Sequence, residues 1–240
     1  MRSAQPSGRL RPRPSWAVVL PLETLPRGLL PQNEPGGKQA LLYVPQSAME
    51  HGSAPLVVML HGAGGTARHS LDLVRGHADE QGFILLMPSS EAQSWDVISL
   101  REYGRDVSQI DALLERIFSD YPIDPSRVAA AGFSDGASYA LSLGLMNGDL
   151  FSHVIAFSPG FMAPLQLRGE PSIFISHGVE DAVLPIERCS RAIAHQLRGA
   201  GRDLDYVEFA DGHVVPASIA RGAFGRFVHG KPADNGSPIG

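Results

Sequence analysis

An α/β protein with a mainly parallel sheet and helices on both faces is the fold this sequence predicts, and three observations carry the expectation. Short apolar runs alternate with segments of helical periodicity from about residue 56 to 228. The runs are apolar throughout rather than alternately apolar and polar, as in strands covered on both faces. Several end in turns rich in glycine and small polar residues, and open parallel sheets bind ligands beyond the carboxyl ends of their strands.

The elements follow in order. Eight of the 19 prolines lie between Pro6 and Pro45, which leaves room for edge strands at Trp16 to Leu20 and Gln39 to Val44 but for no long helix. Leu56 to Leu60 reads as a buried strand ending in His61-Gly62-Ala63-Gly64-Gly65. Leu71, Val74 and Ala78 mark a helix between Thr66 and Gln81, and Phe83 to Met87 a strand closed by Pro88. Val107, Ile110, Leu114, Ile117 and Phe118 mark a second helix, whose acidic residues are read as caps and solvated face. Val128 to Ala131, the corner Gly132-Phe133-Ser134-Asp135-Gly136 and a run from Ala137 to Met146 then form strand, turn and helix. Strands at Val154 to Phe157, Ser172 to Ser176 and Leu204 to Phe209 follow. A helix carrying Ile186, Cys189, Ile193 and Leu197 precedes the last strand, and one with Ile219, Phe224 and Phe227 comes after it. Met59, Met87 and Met146 sit inside apolar runs and are assigned to the core.

Composition limits the partners. The 240 residues, 43% hydrophobic and 19% charged, suit one domain over 16–230, with disordered tails at 1–15 and 231–240. A formal charge of -5 argues against nucleic acid and anionic membrane as partners. The Arg-rich start is followed by too short an apolar stretch for a signal peptide, with a transit peptide as the rival reading. The lone Cys189 fits a reducing compartment, so a cytoplasmic location is expected. Monomer and homodimer both stay open.

Three loops that leave strands carry side chains suited to acyl chemistry: Ser134, Asp181 in Ser-His-Gly-Val-Glu-Asp, and His213 in Ala-Asp-Gly-His. A serine hydroxyl is a poor nucleophile until an imidazole takes its proton, and the imidazole needs a carboxylate to hold its tautomer. Asp211 and Glu180 compete with Asp181 for that place. An ordinary turn role for Ser134 and a surface role for His213 are the rival readings. His61 and His177 are read as loop braces, and no histidine pair has the spacing of a zinc site.

The segments LHGAGGT, GFSDGAS, HGVEDAVLP and DGHVVP resemble those of the α/β-hydrolase superfamily, in particular its phospholipase/carboxylesterase group, over roughly residues 38 to 228. The resemblance implies an α/β-hydrolase fold without a large cap domain, and a serine esterase acting through an acyl-enzyme on a small ester, with no cofactor and no metal. It assigns Ser134 as nucleophile, His213 as base, Asp181 as the acid that orients it, and the backbone N–H groups of Ala63 and Asp135 as the oxyanion hole. Thioesterase, lysophospholipase, polyester depolymerase, feruloyl-esterase-like and peptidase activities stand as alternatives, as does a catalytically silent binding module. Asp135 and Ala137 depart from the thioesterase-like members, which carry glutamine and a second glycine there. A carboxylate at 135 would oppose negative charge on the oxyanion unless paired or turned away. Trp95, Phe161, Met162, Val183 and Leu184 are the candidates for a substrate pocket, with plain packing as their rival role.

Overall fold

A computed structural model of the chain describes residues 8–14, 21–32, 38–50 and 52–230. Eight strands form one sheet: β1 (Gly28–Gln32), β2 (Ala40–Val44), β3 (Ala54–Leu60), β4 (Ile84–Met87), β5 (Ile123–Phe133), β6 (His153–Phe157), β7 (Ser172–Gly178) and β8 (Leu204–Phe209). Their spatial order is β1-β2-β4-β3-β5-β6-β7-β8. β1 and β2 run antiparallel, and every pairing from β4 to β8 is parallel. The helices are α1 (Ala67–Gln81), α2 (Asp96–Ser99), α3 (Arg105–Asp120), α4 (Asp135–Met146), α5 (Ala192–Gly199) and α6 (Ala217–His229). This is the expected α/β-hydrolase fold, and residues 158–171, between β6 and β7, carry no helical cap.

The sheet is buried on both sides because its central strands are apolar at consecutive positions. Leu56, Val58 and Leu60 of β3 face α3 and α4, packing with Ile110, Leu114 and Tyr139. Val57 and Met59 face α1 and α6, packing with Leu71, Val74, Phe224 and Phe227. Each such Val or Leu, fully buried, contributes about 1.5–3 kcal/mol. Met59, Met87 and Met146 lie in this core as expected.

Several elements differ from the sequence reading. β1 was not anticipated; it holds Pro31 at the sheet edge, where a missing ladder donor is tolerated. The run from Ile186 to Leu197 is a π-helical turn at Glu187–Arg191 continued by α5, rather than one α-helix. Asp106 is buried (1% exposed) instead of lying on a solvated face. Its two oxygens accept the Glu91 and Asp96 N–H groups at 2.9 and 2.6 Å and so tie down the loop after β4. The expected disordered start does not extend to residues 8–14: Leu10 is 1% exposed, and Arg9 pairs with Asp149. The strand expected at Trp16 to Leu20 and the tail 231–240 lie outside the described residues.

Candidate active site

Register brings the ends of the parallel strands into line. Leu60 pairs with Gly132, Phe133 with Phe157, and Gly178 with Phe209, so the loops after β3, β5, β7 and β8 open on one edge. Between β5 and α4 the corner is forced by close approach. A Cβ on Gly132 would lie 2.2 Å from the Gly136 carbonyl oxygen, and one on Gly136 would lie 2.1 Å from that of Leu60. Only glycine fits at either place. Ser134 at the apex adopts φ 58°, ψ -121°, a conformation that costs a non-glycine residue about 1–3 kcal/mol. Its N–H donates to Phe157 O at 2.9 Å, which anchors the strained residue to β6.

The three candidate residues meet here. Ser134 Oγ lies 2.9 Å from His213 Nε2, and His213 Nδ1 lies 2.6 Å from Asp181 Oδ2. The second oxygen of Asp181 accepts the Val183 and Leu184 N–H groups at 2.9 and 2.8 Å. Burial works to raise the Asp181 pKa, but the Leu184 amide, the His213 ring and the Val183 amide outweigh it and hold the carboxyl below its ordinary range. The rivals Asp211 and Glu180 are exposed, and Asp211 Oδ1 accepts its neighbour's Gly212 N–H. The Phe133 ring packs on His213, centroids 4.7 Å apart, and limits where the imidazole can swing.

The glycine loop after β3 lies against the serine: a Cβ on Gly62 would be 3.3 Å from Ser134 Cβ. His61 braces this loop, as expected. Its Nδ1–H donates to Gly62 O at 2.8 Å, and its Nε2 accepts the Ser90 N–H at 3.0 Å. Burial lowers its pKa and favours that neutral form. Asp135 N–H is the first of α4, with no carbonyl a turn earlier to bond, and Ala63 N–H follows the braced His61-Gly62 pair. Two donors of this kind beside a hydroxyl can receive a negative oxygen. The Asp135 carboxylate is paired: Ser94 Oγ–H donates to its Oδ2 at 2.5 Å.

The expected pocket residues separate. Trp95 is fully buried and belongs to the core, stacked on Tyr139 at 5.0 Å, with its Nε1–H on His61 O at 2.9 Å; it supports the glycine loop rather than lining a pocket. Phe161, Met162 and Leu184 are half-buried, and Val183 is 65% exposed. A signal the sequence did contain explains how 160–163 is held. Ser134, Ser138 and Ser142 recur every four residues along one face of the helix. Ser138 Oγ accepts Gly160 N–H at 2.9 Å, and Ser142 Oγ accepts Ala163 N–H at 2.9 Å. Ser94 and Ser190 escaped the sequence reading, because which side chain each meets depends on loop paths that carry no periodic pattern.

Similarity to known proteins agrees with this geometry. An acetylxylan esterase of Coprinopsis cinerea is 32% identical over 146 residues, 55% of this chain and 38% of that protein. A probable feruloyl esterase C of Aspergillus terreus is 26% identical over 162 residues, 63% of this chain and 57% of that one. The chain thus spans well under two thirds of either relative's length. The solved structure of esterase PE8 superposes with a TM-score of 0.64 at 23% identity, covering 84% of this chain and 99% of that one, a likeness of fold. The sequence pattern of the family described as putative esterase matches residues 37–172, more than half of the sequence, and on that match the chain is a member of the putative esterase family.

Proposed function

We propose that this chain hydrolyses carboxylic esters through an acyl-enzyme formed on Ser134. The observation that carries the proposal is the unbroken hydrogen-bond chain from Ser134 through His213 to Asp181, at 2.9 and 2.6 Å. As Oγ attacks the ester carbonyl, His213 Nε2 takes its proton while Asp181 holds the Nδ1–H tautomer and offsets the imidazolium charge. The N–H groups of Ala63 and Asp135 receive the tetrahedral oxyanion; losing one such donor costs about 2.7–4 kcal/mol of transition-state stabilisation. His213 returns the proton to the departing alkoxide, and a water activated by the same imidazole then releases the acid. No step requires a metal or cofactor.

Family membership supports the reaction class, and the names of the relatives, acetylxylan and feruloyl esterases, make esters of acetic and hydroxycinnamic acids the substrates to try first. Half-buried Phe161, Met162 and Leu184 suit an apolar or aromatic acyl group. The lone, buried Cys189 suits a reducing compartment such as the cytoplasm, which cell fractionation tests. Among the described residues no helix is long and apolar enough to cross a membrane.

The test is hydrolysis of p-nitrophenyl acetate and methyl ferulate by the wild type and by Ser134→Ala. The expected loss in kcat is about 10³-fold or more. An unchanged rate in the variant overturns the proposal, and failure of a fluorophosphonate to label Ser134 in folded protein favours a silent binding fold.

A further inference from the structure

We infer that His177 is a positioning residue: its buried Nε2–H donates to the same oxygen of Asp181 that His213 uses, and so fixes the carboxylate and moderates its hold on the imidazole. The inference rests on the esterase mechanism proposed above for Ser134, His213 and Asp181.

His177 is the penultimate residue of β7, and its ring is fully buried. Its Nε2 lies 2.8 Å from Leu184 O and 3.1 Å from Asp181 Oδ2, whose side chain is also fully buried. A carbonyl and a carboxylate only accept, so Nε2 carries the hydrogen and shares it between them. Nδ1 is then a lone pair and accepts the Ser190 Oγ–H at 2.6 Å. Ser190 is itself fully buried, on the π-helical turn Glu187–Arg191 that precedes α5. Wider turns of this kind are frequent at functional sites. Burial lowers the His177 pKa and keeps the ring neutral in this arrangement.

A buried structural histidine needs one acceptor and one donor, and Leu184 O and Ser190 already supply both. The contact with Asp181 is additional, and it falls on the oxygen that bonds His213. Asp181 thereby receives four N–H donors, two amides on Oδ1 and two imidazoles on Oδ2. Each donor draws charge from the carboxylate, so removing one strengthens its pull on the His213 imidazolium. The other groups around His177 do not titrate with it. Glu208, its register partner on β8, is held at a pKa of about 2, chiefly by its bond to Arg191, and burial keeps the Cys189 thiol protonated.

The test compares two amides. His177→Gln puts an N–H near the Nε2 position, whereas His177→Asn puts one near Nδ1 and leaves Asp181 a donor short. For ester hydrolysis, His177→Gln is expected to keep kcat within about twofold. His177→Asn is expected to lose about tenfold in kcat, the factor that about 1.4 kcal/mol produces, at unchanged KM. Its acid limb of kcat/KM should also move up by about half a pH unit. Ser190→Ala, which leaves His177 in place but frees its tautomer, should move the limb the same way by less, and it serves if the His177 variants do not fold. Equal behaviour of the Gln and Asn variants, or an unmoved acid limb in both His177→Asn and Ser190→Ala, overturns the inference while wild-type turnover and labelling of Ser134 stand. A wild type that neither turns over esters nor labels overturns the esterase mechanism and this inference together.

Discussion

Asp135 places a carboxylate next to the amide meant to receive negative charge, and the 2.5 Å bond from Ser94 is what makes that arrangement workable. Without the hydroxyl, the carboxylate would be free to turn toward the oxyanion, and a like charge near it raises the barrier. Ser94→Ala is therefore expected to lower kcat for ester hydrolysis about tenfold. Adding Asp135→Asn to Ser94→Ala removes the offending charge and should recover most of the loss. A double-mutant cycle on kcat measures this coupling, and simple additivity would contradict it. Ser134, Asp181 and His213 were legible in the sequence because each follows a strand, where a parallel sheet exposes its ligand edge. Trp95 was not, because a single aromatic on a long loop carries no pattern that says which way it points. Its burial against Tyr139 and His61 makes it a support for the site.

At the scale of elements, strands buried on both faces were the most legible feature, since β3 and β4 read as unbroken apolar runs with glycine, proline or polar residues at their ends. The four-residue α2 and the proline-bearing β1 were not, being too short or too irregular for any periodicity to register. The crossing of β5, α4 and β3 admits no Cβ at position 136, where the nearest atom would be backbone rather than a yielding side chain. Gly136→Ala is expected to destabilise by about 3 kcal/mol or more, or to prevent folding, as urea denaturation would reveal. The start of α3 carries a pH dependence of its own. Burial, reinforced by the charges of Asp96 and Glu91 against opposing amide bonds, raises the Asp106 pKa to about 6 from the ordinary 3.8. The folded state then binds more protons than the unfolded state between those values. This group's contribution to stability accordingly falls as pH rises from about 4 to about 6 and is flat outside that window. Comparing urea midpoints of the wild type and Asp106→Asn from pH 4 to 7 isolates it. The wild type should lose stability relative to the variant across the window by an amount on the order of 1–3 kcal/mol. Asp181 acts in the opposite sense at lower pH: its depressed pKa contributes stability that is lost as acid protonates it.

The molecule as a whole is closed by a segment that composition alone assigns to a tail. Arg-rich and proline-interrupted, residues 8–14 show no periodicity, and their order comes from partners more than 100 residues away. Asn147, just past the end of α4 and fully buried, donates through Nδ2 to Gly8 O and Leu143 O, both at 2.9 Å. Its Oδ1 accepts Leu10 N–H at 2.9 Å. Arg9 and Arg13 both reach Asp149, and Leu10 packs into the core shared by α3 and α4. The ion pairs are partly exposed and contribute little, about 0–1 kcal/mol each. Burial of Leu10 matters more, and so do the polar atoms of Asn147, which would lose their partners if the segment left. A protein lacking residues 1–14 should therefore be less stable by about 3 kcal/mol, a fall in Tm of about 6–12 °C for a domain of this size. The active-site end should be unaffected, because the twelve-residue α4 holds Asn147 about 18 Å from Ser134. At 25 °C, below either transition, kcat and KM of the truncated and full-length proteins should agree within about twofold. A thermal melt and a steady-state assay on the same preparations check both halves, and a truncation that lowered kcat without lowering Tm would contradict the separation.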